Sequence, residues 1–107
     1  MVKDLVSVVV PTYNDAPYLE VAIEDLINQT YSKIEILIIN DGSTDKTEEI
    51  LKKYIEKDKR IRYFYKENGG TGSALNMGFE KATGEFGTWI SSDDRKNPNM
   101  IERLVNF

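Results

Sequence analysis

A chain of 107 residues with 18 acidic and 14 basic side chains, formal charge −4, has material for one small domain, residues 1–107, burying somewhat under roughly two-thirds of its unfolded surface. With no cysteine or histidine, disulfides and thiolate metal sites are excluded and the commonest metal ligand and general base is missing, so Asp and Glu must supply any such chemistry. The acidic balance argues against a nucleic-acid partner, no apolar run approaches the ~18–20 residues of a membrane span, and the opening Met1–Leu5 lacks signal-peptide character, so a cytoplasmic location is expected.

Val6–Val10 reads as a first strand, which Pro11 is expected to stop because proline cannot donate to a ladder. A polar loop, Thr12–Asp15, leads to a helix opening at Pro17, in which Tyr18, Leu19, Ala22, Ile23, Leu26 and Ile27 recur at helical spacing to about Asn28. The second strand, Ile34–Asn40, carries the short unbroken apolar run Ile36–Ile39, rich in β-branched residues, as expected of a strand buried on both faces. Asp45 and Glu48 resemble a capping pair for a second helix with Ile50, Leu51, Tyr54 and Ile55 on its inner face. Ile61–Tyr65 is a third strand, placed near an edge, and Lys66–Gly72 reads as a flexible turn before a helix over Ser73–Ala82. Phe86–Ile90 is the fourth strand, and Asn97-Pro98 reads as the cap and first residue of a last helix that still runs at Phe107.

Strands and helices alternating with short connections predict an α/β fold of three layers, α/β/α, with a mostly parallel, Rossmann-like sheet and about four β–α units. A doubly wound order with strand one between strands two and four would gather Pro11–Asp15, Asn40–Ser43 and Ser91–Asp94 at one crevice beyond the carboxyl ends of the strands.

Asp93-Asp94, directly after a strand, is a carboxylate pair able to bind a divalent ion, although taken alone it reads first as preceding and capping the helix that follows. Asp41 is either a ligand acceptor or one half of a common Asp-Gly turn. Gly69-Gly70-Thr71-Gly72 offers backbone amides, but Leu75 stands where a dinucleotide fingerprint needs glycine, and no Gly-Lys-Ser/Thr supports a P-loop.

In order along the chain, Val-Ser-Val-Val-Val-Pro-Thr-Tyr-Asn (Val6–Asn14), Asn-Gln-Thr-Tyr (Asn28–Tyr31), Asn-Asp-Gly-Ser-Thr-Asp (Asn40–Asp45), Glu-Asn-Gly-Gly (Glu67–Gly70) and Gly-Glu-Phe…Ser-Ser-Asp-Asp (Gly84–Asp94) closely resemble the family 2 glycosyltransferases. The resemblance covers essentially the whole chain and corresponds to the N-terminal, nucleotide-sugar-binding half of the GT-A fold. It implies that Pro11, Thr12 and Tyr13 border the nucleotide base and ribose and that Asp41 accepts a hydrogen bond from the base, usually uracil. It also implies that Asp93, matching the last carboxylate of the D-x-D motif, holds Mn2+ or Mg2+ against the donor diphosphate, with Asp94 as a neighbouring support.

Ser91 replaces the first aspartate of that motif, a departure that weakens metal affinity. The family's catalytic base and acceptor site lie beyond the motif, in sequence outside this chain, so the acceptor stays unknown and the chain alone is expected to bind a UDP-sugar without transferring it. A non-enzymatic nucleotide-binding or assembly module is the alternative, and a nucleotidyltransferase of similar architecture a weaker one. A free fourth-strand edge and the apolar Leu104–Phe107 end predict self-association.

Overall fold

The computed structural model describes residues 1–93 and 96–106. Its elements alternate as the sequence predicts: β1 (Val2–Thr12), α1 (Ala16–Ile27), β2 (Ile34–Asp41), α2 (Thr47–Lys57), β3 (Ile61–Lys66), α3 (Thr71–Lys81), β4 (Gly84–Trp89) and α4 (Met100–Val105). The strands form one four-stranded parallel sheet in the order β3-β2-β1-β4, with strand one between two and four.

The two long apolar strands decide the layering, because alternate side chains must be buried on opposite faces. Val6, Val8 and Val10 of β1 and Ile34, Ile36 and Ile38 of β2 meet Leu19, Ile23 and Leu26 of α1, Leu51 and Tyr54 of α2 and Ile101 of α4. On the other face Val9, Leu37 and Ile39 pack against Ala74 of α3. Three layers result, and the single helix α3 covers the second face.

That second face also holds a buried carboxylate. Glu35 in β2 accepts hydrogen bonds from Ser7 Oγ, from the Thr83 amide at 2.7 Å and from Arg62 Nη1 at 2.9 Å. Burial alone would raise its pKa, but these donors outweigh burial and lower it. Through Thr83, Glu35 ties the turn between α3 and β4 to the sheet.

Several boundaries differ from the sequence reading, each for a local reason. Pro11 does not stop β1; pairing with β2 continues through Pro11↔Ile39 and Thr12↔Asn40. The Val9 carbonyl receives the Ile90 amide at 3.1 Å, so two residues later the proline nitrogen faces the same side, past the end of β4, where no donor is required. α3 opens at Thr71 rather than Ser73, and β4 opens at Gly84 rather than Phe86.

α4 opens at Met100, not at Pro98. The Pro98 carbonyl is taken by the Thr30 amide at 2.8 Å and the Asn97 carbonyl by Gln29 Nε2 at 2.8 Å, so Asn97-Pro98 is docked on the end of α1 instead of beginning a helix. The cap position of α2 is Lys46, without a side-chain cap bond, so Asp45 and Glu48 do not form the expected pair; Asp45, one residue earlier, accepts the Thr47 amide at 3.0 Å and, on its other oxygen, the Ala16 amide of α1 at 3.2 Å. The expectations for Asp94 and for a helix running through Phe107 fall outside the described residues.

Candidate functional site

Beyond the carboxyl ends of β1, β2 and β4 lies a cavity of about 230 Å³ lined by Pro11, Thr12, Tyr13, Asp15, Asp41, Thr71, Ala74, Trp89 and Ser91. Open α/β sheets place ligands at this position, where the strand order reverses. Hydrogen bonds between loops fix its rim. The Asn14 amide donates to Ser43 Oγ at 3.0 Å, Asn14 Oδ1 accepts the Thr44 amide at 2.8 Å, and Ser92 Oγ donates to Asp15 Oδ2 at 2.7 Å. The loops after β1, β2 and β4 therefore form one surface.

Four residues singled out from the sequence line this cavity: Pro11, Thr12, Tyr13 and Asp41. Tyr13 is half exposed and offers a ring face to a flat ligand. Thr12 is 1% exposed and its Oγ1 has no hydrogen-bond partner. A buried hydroxyl without a partner is uncommon in a folded protein, and this one belongs to a residue of the cavity wall.

Asp41 is 3% exposed, and the structure gives it a setting that the sequence did not reveal. Its Oδ1 accepts Lys66 Nζ at 2.9 Å and the Gly69 amide at 3.0 Å; its Oδ2 accepts the Gly70 amide at 2.9 Å and, at a longer 3.4 Å, Asn68 Nδ2. The stretch read as a flexible turn is thus clasped by one carboxylate. Gly42, at φ +75°, allows the clasp, because a Cβ there would stand 2.7 Å from the Asn68 nitrogen. Burial pushes the Asp41 pKa up, yet Lys66 and the two glycine amides prevail and hold it below the usual carboxylate range. A carboxylate can accept about four hydrogen bonds. The four bonds to Asp41 fill that capacity, the longest being the one from Asn68 Nδ2, which also donates to the Asp41 carbonyl at 3.1 Å.

Asp93 is not in the lining. It is exposed on the loop after β4, linked to the cavity through Ser91, whose hydroxyl donates to Asp93 Oδ1. Among the described residues, no three Asp or Glu side chains gather into a ready-made metal cage. Exposed carboxylate and hydroxyl oxygens next to a cavity suit a hard divalent cation that takes its remaining ligands from a bound phosphate. The donor set fits such an ion as a partial shell. Asp15 and Ser92 lie in two of the loops expected at the crevice, whereas the sequence assigns no site role to Lys66, Asn68 or Trp89; Trp89, the last residue of β4, could have been expected there because it stands at that strand's carboxyl end.

The family described as Glycosyl transferase family 2 matches residues 7–107. An uncharacterised glycosyltransferase of Rickettsia typhi is 52% identical over 103 residues, covering 96% of this chain and 31% of the relative. Glycosyltransferase GlyG of Streptococcus pneumoniae is 46% identical over 103 residues, covering 95% of this chain and 34% of its own. Among solved structures, S. aureus TarS 1-349 in complex with UDP-GlcNAc superposes with a TM-score of 0.86 at 31% identity, covering 94% of this chain and 30% of that one. The mannosyltransferase PcManGT from Pyrobaculum calidifontis, in complex with GDP-Man and Mn2+, gives 0.83 at 29% identity, with the same coverage of 94% and 30%. The chain thus spans about a third of each of these proteins.

Proposed function

The chain belongs to glycosyl transferase family 2, and from that membership we propose that it is the donor-binding part of a glycosyltransferase, holding a nucleoside diphosphate sugar in the cavity beyond β1, β2 and β4. The observation that carries this reading is the cavity at the strand ends, walled by Pro11, Thr12, Tyr13 and Asp41. A base edge presenting a donor would replace the long Asn68 bond to Asp41, and Tyr13 gives it a stacking face. Uracil fits this pairing through its N3–H group, in keeping with the UDP-GlcNAc complex of TarS.

Mn2+ or Mg2+ would be held by Asp93 with help from the Ser91 hydroxyl. When bound, such an ion offsets the negative charge that develops on a departing nucleoside diphosphate. The residues of this chain bind and orient the donor. Asp15, Asp41 and Asp93 each accept a hydrogen bond from a neighbouring donor and serve here to bind and orient the donor substrate; none is assigned as the base that activates an acceptor hydroxyl.

Trp89 is the only tryptophan and lines the cavity, so its fluorescence reports occupancy. UDP is expected to change Trp89 emission and to bind at least about tenfold tighter with Mn2+ than in EDTA, with Asp93→Asn abolishing the difference. Unchanged emission and no heat of binding under either condition would overturn the donor reading.

We also propose that a second copy pairs along β4. Among the described residues β4 has a strand neighbour only in β1, and Phe86, Trp89 and Leu104 lie exposed beside that edge. Sedimentation velocity should show a dimer growing with concentration; a single monomer boundary at high concentration would refute it.

A further inference from the structure

We propose that Gln29, far from the cavity lining, is a positioning residue for the metal-binding carboxylate Asp93. The inference rests on the donor-site reading and concerns how the loop after β4 is held.

Gln29 follows α1 directly and is buried, and both ends of its amide are engaged. Its Nε2 donates to the Asp25 carbonyl at 3.1 Å and to the Asn97 carbonyl at 2.8 Å, and its Oε1 accepts the Ile101 amide at 3.0 Å. The last of these bonds does the work of a helix cap. Asn99, in the cap position of α4, makes no side-chain cap bond, and an amide of the first helical turn is met instead by the Gln29 side chain, just past the end of α1.

Neighbouring bonds act on the same segment. The Lys96 amide donates to Asp25 Oδ2 at 3.0 Å, the Thr30 amide to the Pro98 carbonyl at 2.8 Å, and Lys96 Nζ to the Ser91 carbonyl at 2.7 Å. Residues 96–101 are thereby fastened to the end of a helix whose Leu19, Ile23 and Leu26 are fully buried. On the other side of Asp93, the Ile90 amide is bonded to Val9 and the Ser92 hydroxyl to Asp15. Asp93 thus stands on a short connection between two anchored ends. Gln29 supplies the downstream anchor with two donors and one acceptor, a combination that an isosteric glutamate cannot reproduce.

The test uses the full chain, with UDP as probe in Mn2+ or in EDTA. Gln29→Glu and, independently, Asp25→Ala should each lower the manganese-dependent gain in UDP affinity, about tenfold for Gln29→Glu, the low end of what losing a ligand-orienting group costs. Affinity in EDTA should be unchanged. Glu35→Gln is the control: it lowers the melting temperature from a site on the opposite face and should leave the manganese gain intact. A purely structural role for Gln29 would lower the melting temperature alone, and an undiminished manganese gain in both variants would overturn the proposal. Failure of the donor reading is distinguishable, because it appears in the unsubstituted chain as the absence of any manganese gain, and the proposed role of Gln29 then falls with it.

Discussion

Replacing Asp41 with alanine is expected to destabilise the domain by about 3–5 kcal/mol, the usual result of removing one member of a buried, hydrogen-bonded ion pair. The substitution strips partners from Lys66 Nζ and from the Gly69 and Gly70 amides together, and Lys66 is itself largely buried. A small domain has roughly 5–15 kcal/mol in all, so a thermal melt should shift down by at least about 15 °C. Acid should expose the same carboxylate. Asp41 and Glu35 both have folded-state pKa values below their ordinary ones, so the unfolded chain binds more protons at low pH. Their contribution is complete above the ordinary carboxylate range near about pH 4–5, and is lost as pH falls through the depressed folded values. Urea midpoints measured from pH 7 to pH 3 should fall steeply in the parent and less steeply in Asp41→Ala. An acid limb equally steep in both would show that the Asp41 clasp contributes nothing to stability.

The clasp also marks where sequence stops being legible. Strand identity is written in composition: Val8–Val10 and Ile36–Ile39 have no polar interruption and can be satisfied only by burial on both faces, which places them at the centre of the sheet. From that placement Pro11, Thr12, Tyr13 and Asp41 can be expected at one crevice, because a parallel sheet carries every strand's carboxyl end to the same side. The partners of Asp41 are another matter. Lys66, Gly69 and Gly70 lie more than two dozen positions away, and glycines followed by polar residues look the same whether a loop is free or held. Asn97-Pro98 has the local chemistry of a helix start, but the carbonyls it would need are already bonded to Gln29 and Thr30. Glu35 gave a readable hint, a lone charge inside an apolar strand, though only the register with β1 and β3 shows that Ser7 and Arg62 answer it. In each case a tertiary bond overrode a local preference.

Gly78→Ala tests the contact on which α3 depends. An alanine in mid-helix ordinarily stabilises by roughly 0.5–1 kcal/mol relative to glycine. Here the added Cβ would stand 2.3 Å from Val9 Cγ1 and 3.0 Å from Cγ2. Val9 is fully buried, and its β-branched side chain has little freedom to turn away. Overpacking of this kind costs about 1–3 kcal/mol, so the expected net change is a loss of about 1 kcal/mol where helix propensity alone predicts a gain. Val9→Ala opens the space that the new methyl needs. The double variant should therefore be more stable than the sum of the single losses predicts, by at least about 1 kcal/mol in a cycle of urea denaturations. The consequence reaches the cavity, because Thr71 and Ala74 of the same helix line it and Gly70, immediately before the helix, holds Asp41. If α3 is pushed away from β1, UDP affinity should fall in Gly78→Ala and recover in the double variant. Strictly additive losses would mean that α3 moves without strain and that its close approach to Val9 does not set the position of the cavity wall.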